Sequence, residues 1–234
     1  MHNKIPRSLS MEPQSKKTAI LLGATGLTGG MLLGKLLDDG RYQKIKVFGR
    51  RPLPVEHPKL EQHQCDLTQL VRQRSHFTGH EVFCCIGTTK AKTPDREAYV
   101  AVDKGIPVSA AVLCKEQGIP TFLVISAMGA DPKSAVFYNR TKGQMEAAVL
   151  SLGLAKVHVL QPGLINGPRS EKRTGEDFLK SVMKFLDPLL VGPLKKYRSI
   201  APQDMARAMV WLANHPYGRE RIPNDIIQEL AKNQ

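Results

Sequence analysis

Short apolar runs alternate with longer segments of helical periodicity through the first two thirds of the chain. Runs of aliphatic and β-branched residues predict strands at 18–22, 44–48, 60–65, 82–86, 121–125 and 157–160. Between them, apolar residues recur every three or four positions, which predicts helices at about 29–38, 67–75, 97–117 and 138–151. Strands that are apolar throughout are typical of a parallel sheet that helices cover on both faces. The pattern therefore predicts an α/β fold with a doubly wound parallel sheet.

The two ends of the chain follow a different pattern. Residues 1–17 are polar, with four basic residues and one acidic residue, and we expect a flexible basic tail there. Beyond about residue 163, helices are predicted at 176–186 and 203–214. We interpret this part as a small helical substrate lobe that packs on the sheet, so that residues 18–234 form a single domain.

The chain is strongly basic, with 34 Lys and Arg against 21 Asp and Glu and a formal net charge of +13. This excess points to an anionic partner, which could be nucleic acid, an acidic membrane or a phosphorylated ligand. Aromatic residues make up only 6% of the chain, which argues against binding single strands by base stacking.

Several classes of protein are not supported by the sequence. No run approaches the ~18 apolar residues that span a bilayer, and no secretory signal is visible. The four cysteines form no C-x-x-C pair, so neither a disulfide framework nor a metal site is expected. We therefore expect a cytoplasmic protein with no membrane partner and no bound metal.

A glycine-rich segment, GATGLTGG at 23–30, follows the first predicted strand and leads into a helix. Glycine in such a turn lets backbone N–H groups approach a pyrophosphate, and the helix N-terminus adds unpaired donors and its dipole. The position in the chain's first strand–helix unit favours dinucleotide binding over a glycine-rich turn without a ligand. The predicted cofactor contacts in this segment are Gly23, Thr25, Gly26, Leu27, Thr28 and Gly29.

The second strand ends in Arg50 and Arg51, where NAD-binding sheets carry an acidic residue for the ribose hydroxyls. A carboxylate would repel a 2′-phosphate, whereas two guanidinium groups can hold it through charge-assisted hydrogen bonds. We therefore favour NADP(H) over NAD(H), the alternative being two solvated surface arginines. Further contacts to the adenosine half are predicted at Asp66, Leu67, Gly87 and Thr88.

Ser126 ends the fifth strand, and Tyr138 and Lys142 follow with the i, i+4 spacing that places both on one face of a helix. An isolated tyrosine has a pKa of about 10 and is a poor acid or base at neutral pH. A nearby cation such as Lys142 favours the phenolate and makes the hydroxyl useful in proton transfer. Ser126 could orient or polarise a carbonyl oxygen. The alternative for Tyr138 is a helix residue half-packed on the core.

From about residue 18 to residue 211 the chain resembles the atypical branch of the short-chain dehydrogenase/reductase superfamily. Within that branch it is most similar to the Tat-interacting-protein-like oxidoreductases. The segments that carry the resemblance are GATGLTGG at 23–30, CIGTT at 85–89, SAMGAD at 126–131, YNRTKG at 138–143, QPGL at 161–164 and RTGE at 173–176.

The resemblance implies a Rossmann-like sheet with NADP(H) lying across its carboxyl edge. It places the family's catalytic Ser, Tyr and Lys at Ser126, Tyr138 and Lys142, the last two also touching the cofactor. It further implies that Pro162 and Leu164 lie against the nicotinamide. The additional catalytic Asn of many family members has no clear counterpart, so the proton relay beyond Lys142 is open.

Three functions compete at this point. The first is an NADPH-dependent reductase that transfers hydride to a carbonyl or quinone-like small molecule, with Tyr138 as the proton donor. The second is an NADPH-sensing regulatory or interaction protein that has little or no catalysis and binds a protein partner or a second copy of the chain. The third is nucleic-acid binding, which we do not expect, because no binding motif is present and the basic residues are scattered.

Overall fold

Seven parallel strands form one sheet in the described part of this computed structural model, which comprises residues 16–166 and 197–233. The spatial order of the strands is β3-β2-β1-β4-β5-β6-β7, and every neighbouring pair is parallel. The strands are β1 (Lys17–Leu22), β2 (Tyr42–Gly49), β3 (Leu60–Gln64), β4 (Glu81–Cys84), β5 (Thr121–Ile125), β6 (Lys156–Gln161) and β7 (Arg221–Pro223).

Helices cover both faces of this sheet, as predicted for a doubly wound fold. The α-helices are α1 (Leu27–Asp38), α2 (Arg96–Val100), α3 (Ile106–Glu116), α4 (Phe137–Leu150), α5 (Pro202–Asn214) and α6 (Asn224–Leu230). Side chains alternate along β1, so that Ala19 and Leu21 pack with α1 and α5 while Ile20 and Leu22 pack with α3 and α4. The strands are apolar on both sides because both sides are covered.

From β1 the chain adds β2 and β3 on one side of the sheet and then returns to add β4 to β7 on the other side, so the order of the strands reverses between β1 and β4. Loops that leave two such neighbouring strands diverge to opposite faces, which opens a crevice at the carboxyl ends. The glycine-rich segment after β1 and the loop after β4 border this crevice. The fold therefore brings several predicted site residues to one edge.

The predicted helix at 97–117 is interrupted. It consists of α2, a π-helical turn at Ala101–Gly105 and α3, with Pro107 in the first turn of α3. Proline has no N–H to donate and its ring collides with the carbonyl four residues earlier, here that of Asp103. The wider turn, in which the Ile106 N–H reaches the Ala101 carbonyl, avoids this collision.

Other boundaries also differ from the prediction. The segment predicted as a helix at 67–75 is a 3₁₀ helix, Leu67–Gln73, with a kink at Gln69. Lys17, which the sequence pattern places in the tail, begins β1, where its ammonium pairs with Glu81. In the C-terminal part, α5 is present as predicted, whereas β7 and α6 were not predicted. Residues 1–15 and the predicted helix at 176–186 lie outside the described residues.

Candidate functional site

The glycine-rich loop after β1 brings backbone atoms unusually close together. Gly23 has φ +87°, and a Cβ there would lie 2.8 Å from the Cys85 carbonyl oxygen. A Cβ on Gly29 would lie 2.1 Å from the Gly23 carbonyl oxygen, so the first turn of α1 can pack on this loop only through glycine. Gly26 is the N-cap of α1 and provides no side chain to the open N–H groups of the helix. This cradle fits the pyrophosphate of a dinucleotide. It contains the predicted contacts Thr25, Leu27 and Thr28.

Arg50 and Arg51 follow β2 and are both exposed. Within the described ranges, neither guanidinium forms an ion pair, so both charges are available to an anionic ligand at the end of the strand. Asp66 is also exposed, and its Oδ1 accepts hydrogen bonds from the Thr68 backbone N–H at 2.9 Å and the Thr68 hydroxyl at 2.8 Å. These bonds lower the pKa of Asp66. Leu67 is buried in the core.

The loop after β4 is attached to the π-helical turn. The Thr88 backbone N–H donates to Asp103 Oδ1 at 2.9 Å, and the hydroxyls of Thr88 and Thr93 lie 2.8 Å apart. A Cβ on Gly87 would lie 3.4 Å from the same Asp103 oxygen. Asp103 therefore holds the backbone of Thr88 and lies close to Gly87, the other predicted contact.

Tyr138 and Lys142 occupy successive turns at the start of α4, as the spacing predicted. The residue Tyr138 is 41% exposed, whereas the side chain of Lys142 is only 4% exposed. The Lys142 ammonium lies 3.6 Å from Asp103 Oδ1 and donates to the Ile125 carbonyl at 3.4 Å. An accessible phenol thus lies one helical turn from a buried ammonium, on the same face of α4.

Asp103 is a site residue that the sequence did not reveal. It is completely buried beside Lys142, and its Oδ2 has no hydrogen-bond partner in the described part of the chain. Burial, together with the nearby Asp103 carboxylate, raises the pKa of Tyr99. The sequence leaves the proton relay beyond Lys142 open, and in the structure Asp103 is the acidic side chain next to the Lys142 ammonium. The charged pair Asp103 and Lys104, within the mostly apolar segment 98–114, was the available signal.

Ser126 is held by a second buried acid, Glu146. The Ser126 hydroxyl donates to Glu146 Oε1 at 2.5 Å. The same carboxylate accepts hydrogen bonds from Gln161 Nε2 at 2.9 and 3.0 Å and from Arg221 Nε at 2.9 Å. Glu146 was not predicted, although it continues the i, i+4 series of Tyr138 and Lys142 and therefore lies on the same helix face.

The segment after β6, with the predicted contacts Pro162 and Leu164, is connected to the loop after β5. The Met128 N–H donates to the Pro162 carbonyl at 2.8 Å. The buried side chain of Asn224 accepts from the Gly163 N–H at 3.0 Å and donates to the Arg198 carbonyl at 2.8 Å. Pro162 and Leu164 are thereby held at the same edge as Ser126.

Cys84 and Cys85 point to opposite faces of the sheet, as expected for strand neighbours. Burial raises the pKa of the Cys84 thiol to about 11. Within residues 16–166 and 197–233, no group of three or more His, Cys, Asp or Glu side chains is arranged to hold a metal ion. No described helix is both long and apolar enough to cross a membrane.

The parallel sheet, the glycine cradle at its switch point and the Tyr–Lys pair define a nucleotide-binding protein of the atypical short-chain dehydrogenase/reductase class. The NAD(P)H-binding family matches residues 23–216, and the chain belongs to this family. Protein HTATIP2 of Rattus norvegicus is 35% identical over 164 residues, which cover 68% of this chain and 67% of the rat protein.

A second group of relatives carries the name FMP52. The protein from Meyerozyma guilliermondii is 31% identical over 205 residues, which cover 85% of this chain and 86% of its own length. Among solved structures, the Bordetella bronchiseptica enzyme WbmG in complex with NAD superposes with a TM-score of 0.66 at 14% identity, over 92% of this chain and 74% of WbmG. At that identity the likeness shows the fold alone.

The expected cytoplasmic location is wrong. The FMP52 relatives from several fungi are named mitochondrial. The expectation rested on the lack of a secretory signal and of a spanning segment, and neither observation separates the cytoplasm from the mitochondrion.

Proposed function

We propose that the protein is an NADP(H)-dependent oxidoreductase that reduces a carbonyl or quinone-like small molecule, with Tyr138 as the proton donor. The observation that carries this proposal is the buried ammonium of Lys142, one helical turn from the accessible phenol of Tyr138. A buried charged neighbour has no function beside a tyrosine that is only a surface residue. Beside a proton donor, it stabilises the phenolate that forms when the proton leaves.

Each residue has a distinct part in the proposed reaction. Bound NADPH supplies the hydride. Tyr138 donates its hydroxyl proton to the substrate oxygen, and the Lys142 ammonium stabilises the negative charge left on the phenol. Asp103 and the Ile125 carbonyl hold Lys142 in position.

Consumption of NADPH over a panel of ketones, aldehydes and quinones tests this function. We expect turnover by the purified chain and a loss of about 10²- to 10⁴-fold in kcat for Tyr138→Phe, because general acid catalysis contributes about that much. Tyr217→Phe is the matched control, since Tyr217 packs on Trp211 and His158, away from the site. NADPH binding without turnover of any substrate would contradict the reductase. It would favour the sensing protein with a macromolecular partner.

The preference for NADP(H) is a separate proposal, supported by the two exposed arginines after β2, which form no ion pair within residues 16–166 and 197–233. We expect the chain to bind NADPH more tightly than NADH. The ratio of the Kd for NADH to the Kd for NADPH should fall by about tenfold in Arg50→Gln or Arg51→Gln. This is the effect of losing one charge-assisted hydrogen bond to the 2′-phosphate. Arg207→Gln removes the same charge from α5 and should leave the ratio unchanged. Equal Kd values for NADPH and NADH in the unmodified chain would refute the preference.

We also propose a mitochondrial location, on the strength of the FMP52 names. The four basic residues and one acid of residues 1–17 are compatible with a mitochondrial targeting segment. Imaging of the full chain with a fluorescent protein at its C-terminus should show colocalisation with a mitochondrial marker. A diffuse signal throughout the cell would contradict the proposal.

A further inference from the structure

We propose that a depression beside the amino-terminal halves of β1 and β2 is a second anion site, which binds the phosphate group of a phosphomonoester. It lies toward the edge of the sheet opposite the glycine-rich loop, so it is separate from the candidate cofactor site. The depression has a volume of about 400 Å³, and its lining includes Thr18, Lys44, Lys46, Thr78 and His80. The proposal does not rest on the proposed reductase function.

The two lysines of β2 depart from the pattern of a covered strand. Lys44, Lys46 and Phe48 are two residues apart and therefore face the same side of the sheet. Phe48 is covered on that side, where its ring centroid lies 4.5 Å from that of His63 and 5.4 Å from that of Phe77. The Lys44 side chain is 49% exposed, so the cover ends before it. Two positive charges thus lie where a parallel strand ordinarily carries buried apolar residues.

The ammonium of Lys46 is held in place by neutral groups. It donates to the His76 carbonyl at 3.0 Å and to the Thr78 hydroxyl at 2.9 Å. Within residues 16–166 and 197–233 it forms no ion pair. An ammonium has three N–H donors, so one of them remains for a ligand. Lys46 therefore supplies the depression with an uncompensated charge on a fixed donor.

Thr78 and His80 add two further donors. The Thr78 hydroxyl accepts from Lys46, which leaves its own proton to donate. His80 Nδ1 accepts from the Thr18 backbone N–H at 2.9 Å, so the neutral ring carries its proton on Nε2. Between them, a Cβ on Gly79 would lie 3.0 Å from the Thr18 carbonyl oxygen. The loop is packed closely on β1 and holds both donors in place.

Glu61 is the acidic residue next to this group, and it is already paired. Its Oε2 lies 2.7 Å from the Lys44 ammonium, and its Oε1 lies 2.7 Å from His63 Nε2. The carboxylate offsets the charge of Lys44, whereas that of Lys46 remains. The balance is positive, with donors in excess of acceptors, and this combination favours an anion.

The number of donors indicates which anion. A phosphomonoester carries a charge of about −1.5 to −2 near neutral pH and three strong acceptor oxygens. Lys46, Thr78 and His80 each offer one donor, which matches three oxygens, whereas a carboxylate has only two. Lysine is a common phosphate ligand because its ammonium acts as a point charge. A soluble phosphate ester and a phospholipid headgroup share this chemistry.

The ring signals of His80 in a proton NMR spectrum report on this depression, and His80→Gln assigns them. Inorganic phosphate replaces chloride at constant ionic strength and about pH 7.5, where phosphate is mostly a dianion. Saturation with NADP⁺ beforehand occupies the cofactor site. We expect a saturable shift of the His80 signals, and a shift that does not saturate, or no shift, would overturn the proposal. A chain that binds no NADP⁺ would contradict the proposed function, but the His80 signals would still test this site.

Three variants test which groups bind the phosphate. Lys46→Gln should raise the Kd by about tenfold, the effect of losing one charge-assisted hydrogen bond. Thr78→Val, which removes only the hydroxyl, should raise it by about threefold. Lys35→Gln is the matched control, because it removes the same charge from α1 on the other face of the sheet. Equal Kd values in Lys46→Gln and Lys35→Gln would show an effect of net charge alone and refute the site. If circular dichroism shows that Lys46→Gln does not fold, the comparison of Thr78→Val with Lys35→Gln decides.

Two further probes identify the source of the phosphate group. Glycerol 3-phosphate represents a soluble ester, and phosphatidylcholine vesicles that contain phosphatidic acid represent a lipid headgroup. Binding that Lys46→Gln weakens and Lys35→Gln does not supports the site, and the probe that shows it names the source. Absence of such binding with both probes would contradict the proposal. Acetate that binds as tightly as phosphate would contradict the assigned class of ligand.

Discussion

Gly29 and Gly34 lie on the same helix, α1, but in opposite environments. A Cβ on Gly29 would collide with the Gly23 carbonyl, whereas no atom lies within 4 Å of a Cβ on Gly34. We expect Gly29→Ala to lower the free energy of unfolding by about 2 kcal/mol or more, as overpacking does. Gly34→Ala should raise it by about 0.5–1 kcal/mol, because alanine is the better helix former. Urea unfolding without cofactor measures both values, and equal effects would contradict the close contact.

His158 makes the stability of the protein depend on pH. Its Nδ1 donates to the Arg219 carbonyl at 2.8 Å, and its buried Nε2 has no partner in the described structure. Burial, assisted by the charge of Lys156, lowers the pKa of His158 below its ordinary value of 6.5. His158 therefore binds a proton more readily in the unfolded chain than in the folded chain. As a result, the free energy of unfolding decreases as the pH falls below about 6.5.

The difference in Tm between pH 7.5 and pH 5.5 measures this contribution. We expect it to shrink in His158→Gln, which has no group that titrates in this range. His57→Gln, at a less buried histidine in the loop before β3, is the control and should keep the full difference. An unchanged difference in His158→Gln would show that other groups cause the pH dependence.

Tyr138 and Lys142 could be predicted from the sequence because both belong to one local motif, whereas Glu146 could not. A glutamate on a helix is usually exposed, and nothing in the motif indicates that this one is buried. Its partners Ser126, Gln161 and Arg221 are 20, 15 and 75 residues away, so only the fold brings them together. Long-range polar contacts of this kind leave no periodic pattern in the chain.

Four elements meet at Glu81, at the amino end of the sheet. Its carboxylate accepts from Lys17 of β1 and from the Tyr42 hydroxyl of β2, both at 2.5 Å. Asn214 at the end of α5 donates to the Tyr42 hydroxyl at 2.8 Å and accepts from Lys17 at 2.9 Å. This cluster fixes α5 to three strands on the edge opposite the candidate site.

Glu81→Gln should therefore destabilise the whole sheet. We expect the free energy of unfolding to fall by about 2 kcal/mol, less than for a fully buried pair, because Lys17 is 33% exposed. Glu116→Gln breaks a surface pair and should change it by less than about 0.5 kcal/mol. Chemical denaturation of both variants checks the difference, and similar losses would refute the special role of the cluster.

The β1–α1 unit was predictable because an apolar run, a glycine turn and a helical pattern follow one another without a break. The interruption at Ala101–Gly105 was missed because the apolar periodicity of this region continues across the wider turn, although Pro107 is a signal for it. Strand β7 was missed for another reason. It has only three residues, ends in Pro223 and is a strand only because it pairs with β6. Elements that depend on a neighbour rather than on their own pattern are invisible in the sequence.

The protein as a whole carries a net charge of +13, but its basic residues are already partly engaged. In the basic stretch 41–51, Arg41 pairs with Asp39, Lys44 pairs with Glu61, and Lys46 donates to the His76 carbonyl. Arg50 and Arg51 remain at the cofactor edge. The charge of this stretch is thus distributed among local partners rather than arranged as a continuous surface for a polymer.

We accordingly expect no specific binding of nucleic acid. At about 0.15 M salt, retention on duplex DNA should not exceed that of a control protein of equal net charge, because scattered charges release few counterions. Filter binding over a range of salt concentrations measures this. Retention well above the control, with a steep salt dependence, would contradict the expectation.

Strand β7 lies at the edge of the sheet and pairs with β6 through only three residues, yet it supplies Arg221, the counter-ion of Glu146. Short edge strands open locally at temperatures where the central strands are still intact. Each such opening separates the guanidinium from the carboxylate while the Tyr138–Lys142 helix remains in place. On warming, turnover should therefore decline before the molecule unfolds, and the temperature of fastest turnover should lie below the Tm of the protein.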